Sequence, residues 1–127
     1  MPSVLIAEDN LALANVYRFC LSKAGFSVVL AKNGRSAVEH ASKQRFDLII
    51  LDHQMPKLTG VEALEIIRDK TINRQSPAMF CTAKINEKDW PELSNRLQIS
   101  EIVKKPFSPV ELMEMAVDLT KDYAAAS

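Results

Sequence analysis

Five side chains at the ends of apolar runs could do chemistry together: the carboxylates of Glu8, Asp9 and Asp52, the hydroxyl of Thr82 and the amine of Lys105. Three neighbouring carboxylates repel one another, and a hard divalent cation that takes oxygen ligands relieves that repulsion. A lysine beside them would offset charge in the same way. An acid that closes a strand is by itself only an exit into water, so the reading depends on whether the fold gathers all five at one edge.

The stretch from Asp47 to Gly60 argues that it does. Leu48-Ile49-Ile50-Leu51 shows no alternation, which fits a central strand of a parallel sheet covered on both faces, and Asp52 follows at once. Met55-Pro56 then stops the strand, and Gly60 is expected to allow a tight turn into the next helix. Ahead of it, Val4 to Ala7 reads as a first strand ending in Glu8-Asp9-Asn10. A helix follows on the spacing of Leu13, Val16, Tyr17, Cys20, Leu21 and Ala24, closed by Gly25. Phe26 to Leu30 is a second strand, Asn33-Gly34 a turn, and Ala37, Val38 and Ala41 mark a second helix.

Beyond Gly60, Val61, Leu64 and Ile67, flanked by Ala63 and Ile66, give a third helix. Pro77 opens a fourth strand, Ala78 to Cys81, with Thr82-Ala83 at its exit. Pro91 would break a helix begun near Asn86, so a late, short helix is expected from the capping-box spacing of Asp89 and Glu92, running to about Leu97. Ile99 to Lys104 is the fifth strand, and Lys105-Pro106-Phe107 follows it. Ser108 caps a last helix with Pro109 at its first position and an inner stripe of Leu112, Ala116, Leu119 and Tyr123. Five alternations of strand and helix specify an α/β fold with a doubly wound parallel sheet and right-handed crossovers. In the flavodoxin-like order 2-1-3-4-5, the first and third strands are neighbours, and ligands bind beyond the carboxyl ends of the strands. The acids therefore converge.

Composition narrows the function classes. The chain has 127 residues, enough for one domain, and its 16 basic and 16 acidic residues cancel without a Lys/Arg block. Neither nucleic acid nor a membrane is implied as a direct partner. Cys20 and Cys81 lack metal or redox spacing and read as reduced core residues. With no signal-like start and no long apolar run, a soluble, cytoplasmic protein is expected.

Taken together, Glu8-Asp9, Asp52 with Met55-Pro56 and Gly60, Thr82-Ala83, and Lys105-Pro106-Phe107 resemble the receiver domain of two-component response regulators over essentially the whole chain. The resemblance implies a single receiver domain over 1–127 with no output domain, a signalling switch rather than an enzyme, which assists its own phosphorylation and dephosphorylation. It implies Mg²⁺ held by Asp9, Asp52 and the main-chain carbonyl of Gln54, with Glu8 acting mostly through water. Asp52 would accept a phosphoryl group from the phosphohistidine of a sensor histidine kinase or a histidine phosphotransfer protein. A carboxylate suits this, being ionised at neutral pH. Thr82, Ala83 and Lys105 would contact the phosphoryl oxygens, and Lys105-Pro106 would be a cis peptide, which proline makes accessible. Gln54 and Lys84 would tune the phosphate lifetime.

The chain departs from the family pattern at Ile102, where receivers commonly carry Tyr or Phe. A β-branched aliphatic side chain cannot repeat the inward swing of a ring. The readout is therefore expected to shift to the loop from Lys84 to Lys88 and the helix after it. The fourth helix, fifth strand and fifth helix, with Ile102 and Lys104, would meet an output protein, and a phosphorylation-dependent dimer fits the same pattern. His53 reads as a neighbour lining the crevice. Two rival readings fare worse. A flavodoxin-like FMN-binding module needs a phosphate cradle of small residues where Glu8-Asp9-Asn10 is acidic. An aspartate-based phosphohydrolase resembles a pattern with a second aspartate two residues after the nucleophile, where this chain has Gln54.

Overall fold

A computed structural model describes residues 2–55, 57–82, 90–105 and 108–126, with side chains as far as Lys121. Expectations that fall on Pro56, Ala83, the Lys84 to Lys88 loop, Asp89, Pro106, Phe107 and the Tyr123 side chain lie outside the described residues. Strands β1 (Ser3–Ala7), β2 (Ser27–Ala31), β3 (Leu48–Asp52), β4 (Ala78–Thr82) and β5 (Ile99–Lys104) alternate with helices α1 (Leu11–Lys23), α2 (Gly34–Lys43), α3 (Gly60–Lys70), α4 (Trp90–Leu97) and α5 (Pro109–Ala126). The strands form one parallel sheet in the order β2-β1-β3-β4-β5, as the alternation predicts.

The central strands β3 and β4 are buried throughout, which is why their sequences run apolar without alternation. Their side chains divide between two cores. Ile49, Leu51 and Phe80 face one, with Leu64 and Ile67 of α3 and Trp90 of α4. Leu48, Ile50 and Met79 face the other, with Tyr17 and Leu21 of α1 and Leu112 of α5. Truncating one of these fully buried leucines or isoleucines to alanine costs about 2–5 kcal/mol.

Helix boundaries follow local chemistry. The Asn10 side chain accepts the Leu13 N–H (3.1 Å) at the start of α1, and Gly25 leaves it with φ +99°, a conformation that favours glycine. Thr59 and Glu62 form a reciprocal capping box at α3. Ser108 accepts the Glu111 N–H (3.1 Å) at α5 as expected.

Several local expectations are corrected. Asn33-Gly34 is a helix start rather than a free turn: Asn33 accepts the Ser36 N–H (2.8 Å), and Gly34 is the first residue of α2. Gly60 begins α3, and the positive φ in the preceding loop belongs to Lys57 (72°). Glycine is needed at 60 because a Cβ would sit 2.6 Å from the Phe80 ring and 2.8 Å from the Asp52 carbonyl oxygen. The inner face of α1 is Ala14, Tyr17 and Leu21, while Val16 and Ala24 are exposed. Helical spacing alone does not fix which residues face the sheet, and packing against it buries the narrower set. Cys81 is buried in the core as expected, but Cys20 is half-buried beside α5, its thiol donating to the Pro109 carbonyl (3.4 Å).

Candidate functional site

Sheet register brings the predicted side chains together. Ala7 of β1 pairs with Leu51 of β3, so the next residues, Glu8 and Asp52, leave the sheet side by side. The Glu8 N–H donates to the Ala31 carbonyl (3.0 Å), and the His53 N–H donates to the Cys81 carbonyl (3.0 Å), which extends the ladder past both acids. Glu8 and Asp52 are only 4% and 6% exposed, whereas Asp9 is open to solvent. On the other side, the Lys105 N–H donates to the Thr82 carbonyl (2.8 Å) and fixes where the lysine leaves β5.

Oxygens of Glu8, Asp9 and Asp52 lie within 4.8 Å of one another. Lys105 Nζ is 2.8 Å from Glu8 Oε1 and 3.3 Å from Asp52 Oδ2, so the cation bridges two of the acids and sits nearer Glu8 than Asp52. Burial works against the lysine's charge, but the hydrogen bond and charge of Glu8, followed by those of Asp52, outweigh it and raise its pKa. Asp9 is also raised, by burial first and then by the hydrogen bond and charge of Glu8. The cluster thus holds more negative charge than one lysine relieves. A set of carboxylate oxygens this close, with an exposed acid at its rim, fits a hard divalent cation.

Other predicted residues fall around this cluster. Gln54 is exposed, and its N–H donates to Asp52 Oδ1 (3.2 Å). Thr82 is fully buried at the end of β4. Ile102 pairs with Phe80 across the β4–β5 ladder and packs, partly buried, against the core that contains Trp90.

Sequence reasoning missed the ring system beside Asp52. The His53 ring meets Trp90 edge-on at 5.5 Å (77°) and Phe80 at 6.3 Å (83°), and Phe80 lies 5.7 Å from Trp90. Burial lowers the His53 pKa, favouring the neutral ring. His53 Nδ1 and Trp90 Nε1 are buried without a hydrogen-bond partner among the described residues. It also missed Arg68, whose guanidinium donates to the carbonyls of Leu97 (2.9 Å), Asn73 (3.0 Å) and Gln98 (3.1 Å). Aromatic residues next to an acid and at a helix start were the available signal, but their meeting depends on long-range packing.

The model of the response regulator receiver domain matches residues 4–117. The chain belongs to this family. Receiver domains are signalling domains rather than enzymes, and they work with histidine kinases and output domains. Among curated relatives, the alkaline phosphatase synthesis transcriptional regulatory protein PhoP of Bacillus subtilis is 31% identical over 86% of this receiver and 44% of its own length. The autoinducer 2 sensor kinase/phosphatase LuxQ of Vibrio vulnificus is 31% identical over 94% of the receiver and 14% of its own length. The receiver thus spans about half or less of these relatives. The structure of Vibrio cholerae chemotaxis protein CheY4 superposes with a TM-score of 0.85 at 28% identity, covering 94% of this chain and 98% of that one. The receiver domain of a sensor histidine kinase from Pseudomonas aeruginosa PAO1, solved with magnesium coordinated in its active-site cleft, gives 0.80 at 28% identity, covering 94% and 98%.

Proposed function

We propose that this receiver is a phosphorylation-dependent switch in which Asp52 accepts a phosphoryl group from a phosphohistidine of a sensor kinase or phosphotransfer protein. The observation that carries the reading is the cluster of Glu8, Asp9 and Asp52 oxygens within 4.8 Å, bridged by Lys105. An Asp52 oxygen attacks phosphorus, the phosphorus–nitrogen bond breaks, and the imidazole leaves with the electron pair. Asp52 needs no general base because it reacts as the carboxylate. Lys105 offsets charge on the transferring oxygens, and the Gln54 N–H orients Asp52 through Oδ1. Thr82 and Ala83 complete the contacts to the phosphoryl group, and Lys84 with Gln54 tunes its lifetime.

Mg²⁺ is the cation the donor set fits. Asp9, Asp52 and the Gln54 carbonyl would hold it directly and Glu8 through water, and when bound it would neutralise charge on the phosphoryl oxygens. The magnesium in the Pseudomonas receiver supports this choice. The modified surface of α4, β5 and α5, including Ile102 and Lys104, would then control an output protein or a second copy. Acetyl phosphate with Mg²⁺ should add one phosphoryl group by intact mass, and Asp52→Asn or chelation should abolish it. Equal labelling of the Asp52→Asn protein would overturn the assignment.

A further inference from the structure

The two ends of α4 are held in different ways. At its C-terminal end, the Arg68 guanidinium from α3 donates to the Leu97 and Gln98 carbonyls and to Asn73 in the following loop. Arg96 adds a pair with Glu65 at 3.6 Å. A cation on the last carbonyls of a helix satisfies groups that otherwise lack partners. At the N-terminal end, Trp90 is 7% exposed and rests on His53 and Phe80. In that ring contact one polar atom on each partner, His53 Nδ1 and Trp90 Nε1, is buried without a hydrogen bond among the described residues. Buried unpaired polar atoms are costly, so opening this end to water recovers part of what it loses in ring contact. One end of α4 is therefore held by hydrogen bonds and an ion pair, and the other by ring contacts.

His53 follows Asp52 directly in the chain, and the peptide that joins it to Gln54 hangs from Asp52 Oδ1 through the Gln54 N–H at 3.2 Å. A change in the Asp52 carboxylate is felt first at that peptide and then at the His53 ring. We propose that the His53–Trp90 contact is the latch that holds the N-terminal end of α4 at rest, released by the change at Asp52 while Arg68 keeps the other end as a pivot. This rests on Asp52 being the acceptor. It gives the chain a route from site to surface that does not need an aromatic residue at Ile102, which is packed against the same core as Trp90.

Amide hydrogen exchange with and without Mg²⁺ and beryllofluoride, a phosphoryl mimic, tests the latch, alongside intact-mass labelling by acetyl phosphate. In the wild-type protein the mimic should speed exchange several-fold at Ser94 and Asn95, whose N–H groups point back to the carbonyls of the first turn of α4, and leave Arg96 and Leu97 unchanged. His53→Ala should show the fast first turn without the mimic while Asp52 still labels. His53→Phe, which keeps the ring contact and removes the unpaired imidazole nitrogen, should hold the first turn shut and blunt the response. Arg68→Ala should spread the response to the last turn. Uniform or absent acceleration along α4 in a wild-type protein that labels fully would overturn the latch alone, as would a His53→Ala protein that responds like wild type. A wild-type protein that takes no phosphoryl group would overturn the acceptor reading beneath it, and the latch with it.

Discussion

Asp9 combines an exposed position with a raised pKa, caused by burial and by the hydrogen bond and charge of Glu8. A carboxyl whose folded pKa is raised opposes folding once pH exceeds that value, and the penalty fades as pH falls and the group protonates. Asp9→Asn should therefore raise the melting temperature of the cation-free protein at pH 7 by about 1–3 °C, a small gain because exposed charges are screened. The same substitution should remove the stabilisation that Mg²⁺ gives the wild type, and thermal scans with and without the ion check both effects. Proton competition at Asp9 should also weaken Mg²⁺ binding on acidification from a higher pH than an ordinary aspartate would. Cys81 differs from it in being sealed in the core, where burial pushes its thiol pKa up to about 12. A thiol reagent at pH 8 should leave it unmodified until the protein unfolds, and mass mapping of the labelled peptide reads this directly. The acids were legible from their types and order at strand ends. The preference of Lys105 for Glu8 over Asp52 was not, because it is set by a few tenths of an ångström in the packed site.

At the scale of elements, the sequence marks what it must stop and start. The Ser108 cap was legible in the sequence, whereas Asn10 and Thr59, which likewise accept a backbone N–H three residues on, were not assigned as caps. β5 runs over the expected Ile99–Lys104, and α4 is the expected late, short helix, since Pro91 leaves few places for a helix to begin. The role of Gly60 was not legible, because close approach to Phe80 and the Asp52 carbonyl involves a strand far along the chain. Gly60→Ala should destabilise the fold by about 1–3 kcal/mol through overpacking, measured by urea denaturation. It should also slow labelling of Asp52, whose carbonyl the new methyl group would displace. Exposed apolar residues such as Val16 were misread for a related reason: helical spacing defines a stripe, and only the neighbouring elements decide which stripe faces inward.

For the whole molecule, strand order decides the chemistry. Alternation of strands and helices predicts the doubly wound sheet, and the order β2-β1-β3-β4-β5 places the ends of β1 and β3 together so that acids over forty residues apart in sequence share one edge. Among the described residues no helix is long and apolar enough to cross a membrane. What sequence could not supply was the meeting of His53 with Trp90 at one end of α4 and the hydrogen bond from Arg68 to Leu97 at the other, because both depend on contacts between residues far apart in the chain. The central claim is that the gathered acids make Asp52 the acceptor. Its most direct test is peptide mapping after acetyl phosphate and Mg²⁺, with borohydride reduction to trap the acyl phosphate. The reduced residue should fall at Asp52 and at no other carboxylate, and a label on Glu8, Asp9 or a residue outside the cluster would contradict the account.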